Sequence, residues 1–496
     1  MEANSLDLID CPRNLDHFNR LLCDDAKCSL YSECRHCIIR DDSADEEVKE
    51  YYFNGKFSPA KLGIRILAEN RYLTIRDSDE VYIYKDGYYQ SNGESYIREV
   101  VRRRLKDEWK NHYSNEIVEY VKSCSFAERE ELDQPVNLIC MQNGVFNLES
   151  LEITDHTPDI YFTRKIPIHY DPEAKCEGFD EFLSEILPDE KDQEAVRQLF
   201  GYCLYSGYPI QKAFILNGDG SNGKSTLLGV LKSFLGRENC VSRSLHELEG
   251  PRSTFNRAEL HGKLANIIYD LSSKSLSSTS VFKALTGGDL ISAEKKFQSP
   301  FSFVNKSKII AAGNRLPEIS DESDAFYRRL IIITFPCKFE NDRANKNLIN
   351  ILTTPEELSG VFNEAIEGLR KLLMDGNFSN DKSTDEMRDL YMRRSDSVKS
   401  FVLDELEVDL QGHILKQDLY LSYVKYCVEE NYSALSEVVF NMKIRGKTVE
   451  ALGLNLESSK LRVEGIRAHS WRGITYKSEE SKEEEREKRR GLEKYA

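Results

Sequence analysis

Four short runs between Lys212 and Pro336 are apolar at consecutive rather than alternate positions: Ala213–Leu216, Leu264–Tyr269, Lys308–Ala312 and Leu330–Thr334. Unbroken apolar runs of strand length suit strands covered on both faces, and the helical or loop-like segments between them predict an α/β fold. Elsewhere apolar residues recur at helical spacing. Helices are expected at Ile97–Trp109, Phe179–Leu187, Lys191–Tyr205, Thr226–Leu235, Asn345–Leu373, Asp385–Leu406 and Gln417–Glu430. Before residue 170 the pattern mixes such helices with short β-like stretches, among them Glu80–Lys85 with its Asp86-Gly87 turn, and Pro167–Pro172 reads as extended. Toward the end, Leu461–Val463 and Gly473–Tyr476 are β-like. Helices followed by a hairpin fit a winged helix-turn-helix or a helical cap with an irregular end.

At 496 residues the chain has room for about three domains. The pattern divides it into a Cys-rich segment over 1–45, a mixed then helical domain over 50–205, an α/β core over 206–345, a helical and winged-helix-like region over 346–477 and a charged tail over 478–496. That tail reads as a solvated helix or a disordered segment. With 40% hydrophobic and 10% aromatic residues, most of the chain is compositionally globular.

A net charge of −16 repels phosphate and argues against wholesale non-specific binding to nucleic acid. Contact must come from local patches. Leu290–Ile310, with Lys295, Lys296, Lys306 and Lys308 against Glu294, is one candidate, and 440–477 is another. No apolar stretch is long enough to span a bilayer and the acidic N-terminus is unlike a signal peptide, so the expectation is an intracellular, cytoplasmic protein without a membrane partner. The twelve cysteines are unevenly placed, unlike a secreted disulfide framework.

The most specific chemistry lies in Gly218-Asp219-Gly220-Ser221-Asn222-Gly223-Lys224-Ser225-Thr226, directly after one apolar run and before a helical one. This is the G-x-x-x-x-G-K-[ST] pattern in the strand, loop and helix context it requires. Glycines let the backbone turn its N–H groups toward a β-phosphate, and the helix adds its positive end. Lys224 would bring a cation to the β- and γ-phosphates, and the Ser225 hydroxyl would ligate Mg²⁺. Asp270, closing the second run, is the candidate acid for the metal or the attacking water. Leu271 follows it, so there is no second carboxylate to act as a general base. Asn314 ends the third run with an amide suited to the γ-phosphate or to water, and Arg328 and Arg329 precede the fourth with the fixed positive fork that stabilises phosphoryl transfer.

With Phe282–Asp289, Glu294–Phe297, Gly313-Asn314, Pro317 and Phe326–Arg329, this order and spacing resembles the superfamily 3 helicases, in particular the phage, plasmid and poxvirus primase-helicase branch. A weaker likeness extends upstream through Asn143–Phe146, Ile166–Pro172 and Phe179–Leu187. The resemblance implies an AAA+ P-loop ATPase ring, usually a hexamer, that hydrolyses ATP with Mg²⁺ between subunits and moves on single-stranded DNA, generally 3′ to 5′. Carried onto this chain, it makes Lys224 and Ser225 the nucleotide and metal residues, Asp270 the Walker B acid and Asn314 sensor 1. Arg328 becomes the arginine finger, with Arg329 as second choice. Lys295, Lys296 and Phe297 then belong to a hairpin in the DNA channel, where a lysine reaches phosphate and an aromatic packs on sugar or base.

Relatives often carry an N-terminal primase domain with clustered carboxylates on a strand. Here the D-x-D pair is Asp77 and Asp79, off any apolar strand, so no primer synthesis is expected and primase and polymerase would be separate partners. Cys23, Cys28, Cys34 and Cys37 could hold Zn²⁺ tetrahedrally, could hold an iron–sulfur cluster, or could remain unmetallated. The functional expectation is a replicative DNA helicase of a virus, plasmid or integrated element. A nucleotide-locked origin-binding or assembly ATPase without unwinding activity is the alternative. A P-loop kinase or metabolic ATPase would account for Lys224 but not for Lys296, Phe297 or the arginine pair.

Overall fold

A computed structural model describes residues 48–481 apart from 55, 219, 251–252, 277, 297–299, 320–322, 340–346, 431, 433 and 464–465, and without the side chains of 450, 461–463 and 466–467. The cysteines at 23, 28, 34 and 37, Asp219, Phe297 and most of the charged tail therefore lie outside the described residues. Among the described residues, those up to Arg129 form one compact unit and those from Glu130 onward a second.

In the first unit, α1 (Pro59–Glu69), α2 (Gly93–Leu105) and α3 (Asn111–Cys124) accompany a four-stranded sheet. Its strands β1 (Tyr72–Ile75), β2 (Glu80–Lys85), β3 (Tyr88–Gln90) and β4 (Phe126–Ala127) lie in the order β3-β2-β1-β4. Ile66, Ile83, Ile97, Val101, Ile117 and Val121 close the core. The expected strand at Glu80–Lys85 is present, while α1 and α3 appear where no helix was expected. Asp77 lies in the turn after β1 and is held by Arg129 at 2.6 Å, so the D-x-D pair belongs to a surface turn rather than to a metal-bearing strand.

The second unit is organised by α4 (Glu177–Ile186), α5 (Glu190–Leu204), β5 (Ala213–Asn217), α6 (Lys224–Leu235), β6 (Cys240–Val241) and β7 (Ala265–Ile268). The hairpin strands β8 (Leu290–Ala293) and β9 (Phe301–Val304) follow, then β10 (Lys308–Gly313) and β11 (Leu330–Thr334). Strands β6-β7-β10-β5-β11, in that order, make one parallel sheet. The four expected runs are its four longest strands, three of them inner and β11 at an edge, and all are buried as their unbroken apolar text requires.

Helices α4, α5 and α6 share a core with the sheet and with α7 (Pro355–Asp375), through Phe182, Leu199, Leu231, Leu216 and Phe362. For that reason the sequence-based domain 50–205 is divided at Arg129: its last two helices bury their apolar faces beside the sheet. The expected helix Asn345–Leu373 is likewise two, Leu348–Leu352 and α7, because Pro355 has no N–H to continue the first and Thr354 caps the second by accepting from Glu357 N. Asp385–Leu406 also splits, into α8 (Thr384–Ser395) and α9 (Ser397–Glu405), where the Asp396 carboxylate accepts from Val398 N and Lys399 N, both at 3.1 Å.

After α9 the chain runs β12 (Leu406–Leu415), α10 (Lys416–Glu429), α11 (Glu437–Leu452), β13 (Glu457–Val463) and β14 (Ile466–Tyr476), with sheet order β12-β14-β13. Phe401, Tyr423, Phe440, Trp471 and Ile474 fill the space between these helices and the sheet. Neither β12 nor α11 was evident from the sequence pattern. Among the described residues, no helix is long and apolar enough to cross a membrane.

Candidate functional site

Strand β5 passes into α6 through the loop 218–223. Gly218 has φ +155 and a Cβ there would sit 2.7 Å from Phe335 O. Gly223, at φ +88, is left-handed, and a Cβ would come within 2.6 Å of Ile186 Cγ2. Both positions therefore need glycine, one for close backbone approach and one for conformation as well. Ser221 and Gly220 face solvent, and Ser221 O accepts from Phe339 N at 2.7 Å.

Lys224, only 7% exposed, folds back over this loop, where its Nζ donates to Gly218 O at 2.5 Å and to Asn222 Oδ1 at 2.9 Å. Asn222 in turn donates to Phe335 O at 3.4 Å. The ammonium is thus stored within the loop at the amino end of α6, whose first-turn N–H groups and dipole favour an anion. Ser225 is exposed in that first turn, with Thr226 half-buried beside it.

The neighbouring strands end on the same edge. Asn217 pairs with Gly313 across β5 and β10, Ile268 pairs with Ala311 across β7 and β10, and Leu271 N donates to Ala312 O at 2.6 Å. Asp270 and Asn314, both exposed, therefore lie at the carboxyl edge that also carries the glycine loop. Strand β7 stops at Ile268, so Asp270 follows the strand by two residues rather than closing it. Strand spacing puts the β7 end roughly 10 Å from the β5 end, with the β10 end between them.

Asn217 was missed by the sequence reading, which ended the run at Leu216. Its buried amide donates to Gly313 O at 3.2 Å and to Asn314 O at 3.3 Å, tying the glycine-loop strand to the strand that carries Asn314. The readable signal was a polar residue ending an apolar run just before the loop.

The arginine pair separates. Arg328 is exposed, whereas Arg329 is 8% exposed, with Nη1 donating to Ala325 O at 2.5 Å and Nη2 to Gln211 Oε1 at 3.2 Å. Both precede β11 at its amino end, and Arg329 O accepts from Ala213 N, so they stand on the sheet edge opposite the glycine loop. Five residues of β11 put about 15 Å between those edges.

Strands β8 and β9 pair antiparallel from Leu290 with Val304 to Ala293 with Phe301. The connection carries Lys295 and an exposed Lys296. Ile291, Ala293 and Phe303 are buried at its base, and the His261 ring meets Phe301 and Phe303 edge-on at 5.4 and 5.3 Å. The basic stretch expected here loses a member. Lys308 is 1% exposed, and its Nζ donates to Tyr205 O, Gly207 O and Lys306 O at 2.8, 2.6 and 3.0 Å. Burial pushes its ammonium down to about 7, while the carbonyls and the Tyr202 and Tyr208 ring faces hold the proton. The second stretch is also partly consumed within the fold. Lys443 pairs with Glu318 at 2.6 Å, Lys447 with Asp396 at 2.9 Å, and Lys477 donates to Leu403 O. Lys460 and Arg472 remain exposed.

A cavity of about 860 Å³ opens at the carboxyl ends of β10, β5 and β11, where Asn314, Arg315, Gly218 and Thr334 line one side and Glu430 and Tyr432 the other. Asp192 borders it, with its carboxyl pushed up to about 7 by burial despite a 2.8 Å hydrogen bond from Asn380 Nδ2. Among the described residues no cluster of three His, Cys, Asp or Glu side chains is placed to hold a metal. A Mg²⁺ held through substrate phosphates needs fewer protein ligands, and the exposed Ser225 hydroxyl and Asp270 carboxylate fit that requirement.

Fold and loop together define a protein of the mixed α/β class, built round a parallel sheet that feeds a glycine-rich loop into a helix. The chain matches the D5 N terminal like family over residues 44–188 and a family of unknown function, DUF5906, over 216–329. It is 29% identical over 51% of its length to "Putative helicase L207/L206" of Acanthamoeba polyphaga mimivirus, covering 27% of that protein. It is 27% identical over 42% of its length to "Putative helicase 121R" of Invertebrate iridescent virus 3, covering 24% of it. The chain thus spans about a quarter of the length of these relatives. The apo C-terminal region of NrS-1 overlays with a TM-score of 0.46 at 14% identity, covering 84% of this chain and 99% of that one. The two family matches and the viral relatives together support a phage and viral primase-helicase family.

Proposed function

We propose that this chain is the motor part of a replicative DNA helicase, an AAA+ ATPase that works as a homo-oligomeric ring, usually a hexamer, on single-stranded DNA. The observation that carries the reading is the shared sheet edge. A lysine-bearing glycine loop, an amide at Asn314 and a carboxylate at Asp270 stand on the ends of three strands within a span that fits a triphosphate. In this reading the loop is a P-loop. Lys224 exchanges Gly218 O and Asn222 for the β- and γ-phosphates, and Asn314 orients the attacking water or the γ-phosphate. Mg²⁺, held by Ser225 and Asp270, would neutralise charge on the β- and γ-oxygens.

Arg328 supports hydrolysis between subunits. It is exposed about 15 Å from its own glycine loop, so it serves a phosphoryl group only if that group belongs to a neighbouring copy. Arg329 is bound into its own subunit by Ala325 and Gln211 and is set aside as a finger. The hairpin carrying Lys295 and Lys296 suits a channel contact with the DNA backbone. The helix, strand, helix, helix and hairpin order of α9 to β14 supports a winged-helix module, with Lys460 and Arg472 on the wing. The names of the viral relatives point the same way.

Steady-state ATP hydrolysis with and without a single-stranded oligonucleotide tests the motor. Turnover should rise when DNA is added, and flat turnover refutes the reading. The second reading, a nucleotide-locked assembly ATPase, is favoured by Leu271 and Ser272, which leave Asp270 without an adjacent carboxylate. ATP binding without turnover would select it. Mixing Arg328→Ala with Lys224→Ala subunits should restore part of the activity if the site is shared between copies.

A further inference from the structure

The cavity at the strand ends contains a cation that the functions above do not use. Four basic side chains line it, Lys191, Arg315, Lys338 and Arg394. Of these, Arg315 is the one with no hydrogen bond or ion pair among the described residues; it is half-buried, and its charge reaches Cys427 on α10. A half-buried guanidinium whose donors are not taken up within the fold presents the planar fork that binds a phosphate through two parallel hydrogen bonds.

Of the acids around the cavity, Glu190 is exposed, and the other three have partners. Asp189 accepts from Lys191 N as the cap of α5, Asp192 accepts from Asn380, and Glu430 is engaged. Thr334 Oγ1 is buried at the end of β11 with no partner among the described residues, and a hydroxyl there can donate to an anionic oxygen. The two groups share the cavity with Gly218, the first residue of the glycine loop, and with Asn314.

We propose that Arg315 and the Thr334 hydroxyl receive a phosphate group in this cavity, and that it is the terminal phosphate of the nucleotide held by the same subunit's glycine loop. The inference rests on the nucleotide-site reading above and adds a residue that distinguishes a triphosphate from a diphosphate within one subunit. It also gives the strand ends a route to the C-terminal module. Leu316 N donates to Arg394 O at 3.3 Å, and the α10–α11 turn that carries Glu430 and Tyr432 forms the facing wall.

The test is equilibrium titration of fluorescent ATP and ADP analogues, with Mg²⁺, into the full chain and its Arg315→Ala and Arg315→Lys variants. Arg315→Ala should weaken ATP-analogue binding about tenfold or more, as expected for a lost charge-assisted hydrogen bond, and should leave ADP-analogue binding unchanged. Arg315→Lys should recover part of the loss. Unchanged ADP binding also reports that the variant is folded. Equal losses for both nucleotides, or no loss, would overturn the proposal. A second arm titrates a single-stranded oligonucleotide in the absence of nucleotide. Loss of DNA affinity in Arg315→Ala would assign the phosphate to the nucleic-acid backbone and overturn the nucleotide assignment. A wild-type chain that binds neither nucleotide refutes the underlying site reading, which is a distinct outcome from a wild-type chain that binds both while Arg315→Ala changes nothing.

Discussion

Replacing Lys308 with methionine separates a structural lysine from a DNA-binding one. The substitution keeps an unbranched chain of similar length but removes the donor to Tyr205 O, Gly207 O and Lys306 O. Each carbonyl left buried without a donor costs about 1–3 kcal/mol. Loss of the buried ammonium returns part of that, because its own desolvation disappears. The balance is a destabilisation of about 3–5 kcal/mol, the range for breaking a buried polar cluster from one side. Urea denaturation followed by circular dichroism should therefore show the midpoint of the second unit moving to lower denaturant. Oligonucleotide affinity, measured on the folded protein below the transition, should stay at the wild-type value with the same salt slope. A stability loss below about 1 kcal/mol, together with weaker and less salt-dependent DNA binding, would refute the reasoning and return Lys308 to the basic surface.

Three further outcomes follow from the same structure. Gly223→Ala combines a positive φ, costing about 1–2 kcal/mol in an L residue, with a Cβ 2.6 Å from Ile186 Cγ2. The loop should shift, and isothermal titration should show ATP binding weakened at least about tenfold with the fold retained. Asp192 is easier to protonate in the fold than in the unfolded chain, since burial moves its carboxyl from 3.8 to about 7. The fold thus gains a proton between those values and its stability falls as pH rises through that window. Asp192→Asn should flatten this profile and stabilise the protein at pH near 8 by about 2–4 kcal/mol; an unchanged pH profile of thermal unfolding would contradict it. Lys296→Ala should spare basal ATP hydrolysis while abolishing strand displacement, and equal loss of both activities would remove the hairpin from the DNA channel.

How much of this was legible beforehand depended on whether the governing interactions were local. The four apolar runs became sheet strands at nearly their expected bounds because burial on both faces leaves no alternation to misread. The glycine loop was equally visible, since its glycines are dictated by the backbone itself. Helix bounds failed where one residue reset the backbone, as Pro355 and Asp396 did. In the polar, weakly patterned C-terminal region, β12 and α11 are ordered by the aromatic core around Phe401, Tyr423, Phe440 and Trp471 rather than by their own periodicity.

Charge shows the limit most plainly, because a sequence counts lysines and arginines without saying which meet water. Lys308 reads as part of a basic stripe and is buried under three carbonyls, and adjacent Arg328 and Arg329 divide into an exposed and a buried side chain. By itself the sequence determined the α/β class, the phosphate-type loop and the family resemblance, because each is written in the spacing of neighbouring residues. Only the tertiary structure decided that Asp270, Asn314 and Gly218 share one sheet edge, that Arg328 stands on the other, and that Arg315 lines a cavity together with Gly218 and Thr334. Those facts depend on strand order, which is set by packing between residues far apart in the chain.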